Sequence, residues 1–327
     1  MSRSFSLGFE HPNDQGRHVV RCAARALAVV IAVVVCAQGV QAQSTTARCG
    51  KRSYSFETID PPFGTPGVDM TVQALWMNSR GTIVAQYQMP PDPDWLTNAH
   101  GAVLQRGTWT NVDVEGALST AAAPNNRGQL LVTYRLQDSP WRVAIRDRHR
   151  LDLLPDLPDY PGGLLGNGFN DVGQMAAVAI DAAGAWHGFV GDIEDHELVD
   201  YPGAVTTIPM WLNNRGVVVG YHFLADGSGH GFRYARGRFV AIDRPGASAT
   251  FPNAINNQGE IVGVYTTAAG EWRGFLLERG RFSDVVFPGA VAITGLYSIN
   301  DRGQIAGTYL DAAGINHGFV ATPAHGK

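Results

Sequence analysis

Apolar side chains recur at fixed positions after a set of Asn-rich turns, each of which ends in glycine. The second residue after that glycine is Ile83, Leu130, Met175, Val218, Ile261 and Ile305 in successive copies. The third is Val84, Leu131, Ala176, Val219, Val262 and Ala306. A strand with one wet face alternates apolar and polar positions, so apolar residues on both parities predict a strand covered on both faces. The fourth position is mostly small (Ala85, Val132, Ala177, Gly220, Gly263, Gly307), which predicts close approach of a neighbour. Past residue 42 no stretch sustains a helical period. Short runs rich in β-formers, broken at even intervals by Gly, Asn and Pro, predict an all-β chain.

The turn glycines are Gly81, Gly128, Gly173, Gly216, Gly259 and Gly303, spaced 47, 45, 43, 43 and 44 residues apart. They are structural: Asn and Gly tolerate the positive φ that tight hairpin turns need. Fourteen residues after the glycine comes Arg142, His187, His230, Arg273 or His317, and in four copies Gly-Phe follows. The first copy reaches His100 after 19 residues and so carries a five-residue insertion. A period of about 40–50 residues is that of one four-stranded propeller blade or one solenoid unit. Each copy reads as a strand into the Asn turn, a return strand, a Gly-Phe strand, and a fourth strand such as Phe239–Asp243 that leads into Pro-Gly-Ala.

Four antiparallel strands per copy, six copies and burial on both faces predict a six-bladed β-propeller of about 44 residues per blade. The repeats run at about 54–107, 108–149, 150–193, 194–237, 238–280 and 281–322, with 43–53 as a linker and 323–327 as a tail. The last copy stops after His317-Gly-Phe-Val320 without a fourth strand, while a spare fourth strand, Phe56–Asp60, stands at the start. The N-terminal strand is therefore expected to complete the last blade, pairing an edge that would otherwise be open. An open β-solenoid is the rival architecture; it would need no such latch.

The motifs Asn256-Asn257-Gln258-Gly259-Glu260-Ile261-Val262-Gly263-Val264-Tyr265, His230-Gly231-Phe232 and Phe239-Val-Ala-Ile-Asp243-Arg-Pro245-Gly-Ala247 resemble the HAF-type extracellular repeat. The resemblance covers roughly residues 54–322. It implies export and a repeat β fold, and it brings no activity and no catalytic residues with it. The chain departs from the pattern at Arg142-Val-Ala and His100-Gly-Ala.

The N-terminus changes the picture of where the chain works. Arg3, Arg17, Arg21 and Arg25 precede a 12-residue apolar run, Ala26–Ala37, and small residues at Val40-Gln-Ala42 suit a signal peptidase. Twelve residues are too few for a bilayer that takes about 20. Residues 1–42 are read as a signal peptide, which makes the mature chain secreted or periplasmic with no membrane span. That chain carries a net charge of −6, which argues against a nucleic-acid partner. Cys22 and Cys36 leave with the leader, so Cys49 has no intrachain disulfide partner.

Candidate chemistry is sparse. A histidine repeated with the period (His187, His230, His317) is expected to cap a turn, and no metal site is expected. Asn-Asp pairs in the turns lack the alternating carboxylates of a calcium loop. Trp141, Trp186 and Trp272 precede the His/Arg position and are candidate ligand-stacking residues. Asp92, Asp94 and Trp95 on the inserted loop are candidates because function is often grafted as a non-periodic feature on a periodic scaffold. No cofactor motif is present. The reading is a monomeric binding or scaffold module for a carbohydrate, a small molecule or a protein. The alternative is a hydrolase or lyase acting on a polysaccharide or lactone at the central pocket. Non-periodic Asp, Glu or His at the central mouth would favour the enzyme; an apolar or amide-lined channel would favour binding.

Overall fold

The computed structural model describes residues 45–49, 52–67, 70–89, 98–148 and 150–324. The leader, and with it the candidates Asp92, Asp94 and Trp95, lie outside the described residues. Strands β1 (Thr45–Cys49) and β2 (Arg52–Thr58) open the chain. Next come β3 (Thr71–Met77), β4 (Ile83–Gln88), β5 (His100–Gln105) and β6 (Thr108–Asn111), hydrogen-bonded in that order. Then follow β7 (Ala117–Pro124), β8 (Leu130–Leu136), β9 (Trp141–Arg146) and β10 (Leu151–Leu153). The next four are β11 (Gly163–Phe169), β12 (Met175–Ile180), β13 (Trp186–Gly191) and β14 (His196–Leu198). Two more meanders are β15 (Thr206–Leu212), β16 (Val218–Phe223), β17 (Gly229–Ala235), β18 (Arg238–Ile242), and β19 (Ala247–Ile255), β20 (Ile261–Thr267), β21 (Trp272–Glu278), β22 (Arg281–Val285). The last strands are β23 (Ala292–Ile299), β24 (Ile305–Leu310) and β25 (Asn316–Pro323).

The fold is all-β, and its sheets form a propeller arrangement. Successive innermost strands β3, β7, β11, β15, β19 and β23 adjoin one another, and β23 adjoins β3. The expected latch is present. β2 pairs antiparallel with β25, Thr58 opposite Phe319, and Ile59 N donates to Gly318 O at 2.8 Å. The strands after each Asn turn are covered on both faces; all six residues of β16 are buried. The phenylalanine of Gly-Phe is wholly shut from solvent at Phe189, Phe232, Phe275 and Phe319.

Two details differ from the sequence reading. The segment 43–53 is not simply a linker, because β1 lies in it and pairs with β2 as a fifth strand of the last sheet. The second and third meanders fuse into one eight-stranded sheet through a single parallel bridge, Gly163 to Trp141. Only glycine allows this contact: a Cβ on Gly163 would sit 1.8 Å from the carbonyl oxygen of Trp141. The close neighbour expected at Gly220, Gly263 and Gly307 is present, and it is the innermost strand of the same sheet. A Cβ at Gly263 would meet Phe251 O at 2.1 Å, where β19 bulges between Pro252 and Ala254.

The Asn turns do more than reverse the chain. All six turn glycines have positive φ, from +70° at Gly216 to +97° at Gly173. The leading asparagine of each turn is buried, and its Oδ1 accepts two backbone amides of its own turn, as Asn213 does from Arg215 N and Val217 N. Its Nδ2 donates to the backbone carbonyl of the next turn's asparagine. Asn78 reaches Asn125, Asn125 reaches Asn170, and so on until Asn300 returns to Asn78, at 2.7–3.3 Å. A second closed circuit runs through the following residue: Ser79 N to Asn126 Oδ1, Asn126 N to Asp171 Oδ1, round to Asp301 N on Ser79 Oγ. These circuits satisfy buried polar groups and join each sheet to the next.

Candidate functional site: the axial cavity

The innermost strands surround a cavity of about 170 Å3 on the axis. Its wall is shaped by β-bulges, which place an extra residue in one strand and re-aim its side chain. Gln73, Asn167, Met210, Asn253, Thr294 and Tyr297 are bulged residues of β3, β11, β15, β19 and β23 that line the cavity; Ser248, at the other bulge of β19, does not. A periodic scaffold thereby presents a different side chain from almost every unit.

Aromatic rings dominate the rest of the lining. Trp141, Trp186 and Trp272, picked out from the sequence, all face this one cavity. Each opens the third strand of its sheet opposite the end of the second, as Trp186 pairs with Ile180 and Trp272 with Thr266. Trp272 stacks on Phe251, with centroids 5.5 Å apart, and Arg135 lies over Trp141 at 5.8 Å. Sequence reasoning missed Trp76, which lies against Tyr297 at 5.9 Å. It also missed all six bulge residues. The available signal was that the third residue before the turn asparagine varies among Leu75, Ala122, Asn167, Met210, Asn253 and Tyr297.

The polar groups are few and fixed. Asn167 Nδ2 donates to Pro209 O at 2.9 Å and Asn253 Nδ2 to Leu296 O at 3.0 Å. Thr133 Oγ1 exchanges hydrogen bonds with the Gly166 backbone, and Thr294 Oγ1 bonds Thr308 at 2.7 Å and Asn316 at 2.6 Å. Gln73 Nε2 donates to Gln88 Oε1, leaving Gln73 Oε1 buried without a partner. Among the described residues lining the cavity there is no Asp, Glu, His, Lys or Arg. Burial pushes the Tyr221 hydroxyl pKa well up and that of Tyr297 up to about 12, so both rings are neutral at physiological pH. The site is therefore uncharged, mostly apolar, and edged with amides.

At the other end the axis holds a polar recess of about 40 Å3 lined by the turn residues and their closed circuits. The periodic histidines serve the sheets. His317 Nδ1 meets Asp60 Oδ2 at 2.7 Å while Asp60 Oδ1 accepts Gly318 N. His100 with Asp113 and His187 with Asp200 repeat the arrangement. Hydrogen bonding to Asp200 raises the His187 pKa against the opposing effect of burial. At His317 burial pulls the pKa down, and the bonds and charges of Asp60 and Asp311 outweigh it. Among the described residues no group of three or more His, Cys, Asp or Glu is placed to hold a metal ion, and no helix is long and apolar enough to cross a membrane.

Fold and site together define a β-propeller with an uncharged axial cavity. No protein-family model matches the chain, and no curated protein matches it. Solved structures do. A protein assigned as a TolB from Agrobacterium tumefaciens aligns with 79% of this chain and 91% of its own, at 11% identity and TM-score 0.51. TolB from Acinetobacter baumannii aligns over 79% and 81%, at 10% identity and TM-score 0.49. The fucose-specific lectin from Aleuria aurantia aligns over 78% and 95%, at 12% identity and TM-score 0.48. At such identity the likeness is one of fold alone.

Proposed function

We propose that this protein is an exported six-bladed β-propeller of the HAF-repeat type, acting as a binding module that holds an uncharged small molecule in its axial cavity. The observation that carries this reading is the lining: Trp76, Trp141, Trp186 and Trp272 with Tyr297 and Phe251, and amides as the main polar groups. A mostly apolar pocket with a few placed polar groups is the usual form of a small-molecule site. A polysaccharide hydrolase or lyase would place an acid and a base on the substrate, and the described lining supplies neither a carboxylate nor an imidazole. Export rests on the basic stretch and apolar run that precede residue 42.

The test is a ligand panel read by intrinsic tryptophan fluorescence and calorimetry. Neutral ring compounds are expected to shift the emission and to bind at micromolar levels, whereas organic acids and amines of the same size bind at least tenfold more weakly. A preference for charged ligands, or turnover in a glycosidase and lactonase panel, would overturn the reading.

A further inference from the structure

Two amides at the same level of the cavity decide which hydrogen-bonding groups an occupant must bring. Asn167 and Asn253 each lie three residues before the turn asparagine of their unit, and each is the extra residue of a bulge. Both donate through Nδ2 to the backbone carbonyl of the next innermost strand, Pro209 and Leu296. A carbonyl oxygen can face only the N–H end of an amide, so these bonds settle which way each amide points. The free end is Oδ1, and no hydrogen bond among the described residues reaches either one. Asn253 is 7% exposed, yet its Oδ1 is not among the atoms closed off from solvent, so it opens to the cavity that the residue lines. Gln73 has the same polarity, with Nε2 held by Gln88 and Oε1 left over, but that oxygen is closed off from solvent and is not offered to an occupant. Asn167 and Asn253 thus offer acceptors whose own donors are already engaged.

We propose, resting on the binding reading above, that the cavity selects a neutral aromatic ring bearing an N–H or O–H donor, of the indole or phenol class, with the donor directed at Asn167 or Asn253 and the ring against the tryptophans. A buried acceptor left unpaired by its ligand costs about 1–3 kcal/mol, so a donor-bearing ring is preferred over an isosteric ring without one. A monosaccharide fits less well. It would bury four or five hydroxyls against a largely apolar wall, and each unpaired one carries a desolvation penalty.

The experiment compares indole with benzothiophene, which has nearly the same shape and no donor, by calorimetry on the purified protein. Indole is expected to bind at least tenfold more tightly. In Asn167→Leu and Asn253→Leu the ratio should narrow, and in the double variant it should approach one, with benzothiophene still bound as evidence that the cavity persists. Equal affinity of the two probes for the unaltered protein would overturn the donor inference and leave the cavity reading standing. Failure of both probes to bind would overturn both. Methyl glucoside binding more tightly than indole would overturn the choice of ligand class.

Discussion

At Gly259 the backbone is held at φ +83° and nothing lies within 4 Å of where a Cβ would be, so the cost of a side chain there is conformational alone. Gly259→Ala is expected to destabilise by about 1 kcal/mol or more, and an unchanged melting temperature would contradict the turn geometry. Its neighbour in motif, the leading asparagine, is worth more. Asn213→Ala removes the bond to Asn256 O and strips the acceptor from Arg215 N and Val217 N in a buried turn. Roughly 2 kcal/mol or more should be lost, since each buried partner left unsatisfied costs about 1–3 kcal/mol; a denaturant midpoint would report it. The glycine's role was legible because positive φ is a local property. The asparagine's link to the next sheet was not, because a residue 43 positions away is invisible to any turn rule.

Elements are tied by the His–Asp pairs, and these give the protein a pH dependence. The folded pKa of His317 lies above its ordinary 6.5, because Asp60 and Asp311 outweigh burial. A raised histidine pKa contributes stability that is fully present below about pH 6.5 and is lost as pH rises through the folded value. The stability difference between the native protein and His317→Gln should therefore shrink from pH 6 to pH 8, measured as urea midpoints; a difference that grows would refute the pairing. The sequence predicted the histidine as a turn cap, and His317 does meet Asp311 of the preceding turn at 3.5 Å; its shorter bond reaches Asp60, 257 residues away across the latch. Strand order within a unit was readable from burial parity and turn signals. The fusion of β7–β10 with β11–β14 was not, since it rests on one close backbone contact at Gly163.

For the whole molecule the latch is the point of weakness. Phe56 of β2 is 1% exposed and packs against Phe287 at 5.4 Å and Phe319 at 5.8 Å. Phe56→Ala should cost about 3–5 kcal/mol, read by denaturant unfolding. Removing residues 43–60 would bare the edge of β25, and an unpaired edge invites association; sedimentation should show higher oligomers or aggregates. The closed asparagine circuits and the β2–β25 pairing act together, because each joins elements that only a completed ring brings adjacent. By itself the sequence determined the strands, their turns, the period and the latch, since these follow from local backbone preference and from one strand missing at one end and spare at the other. Beyond Trp141, Trp186 and Trp272, which the sequence picked out, the tertiary structure decided the site. Bulges turn Asn167, Met210, Asn253 and Tyr297 toward a common axis, and convergence on an axis depends on where the sheets stand around it, which no linear spacing contains.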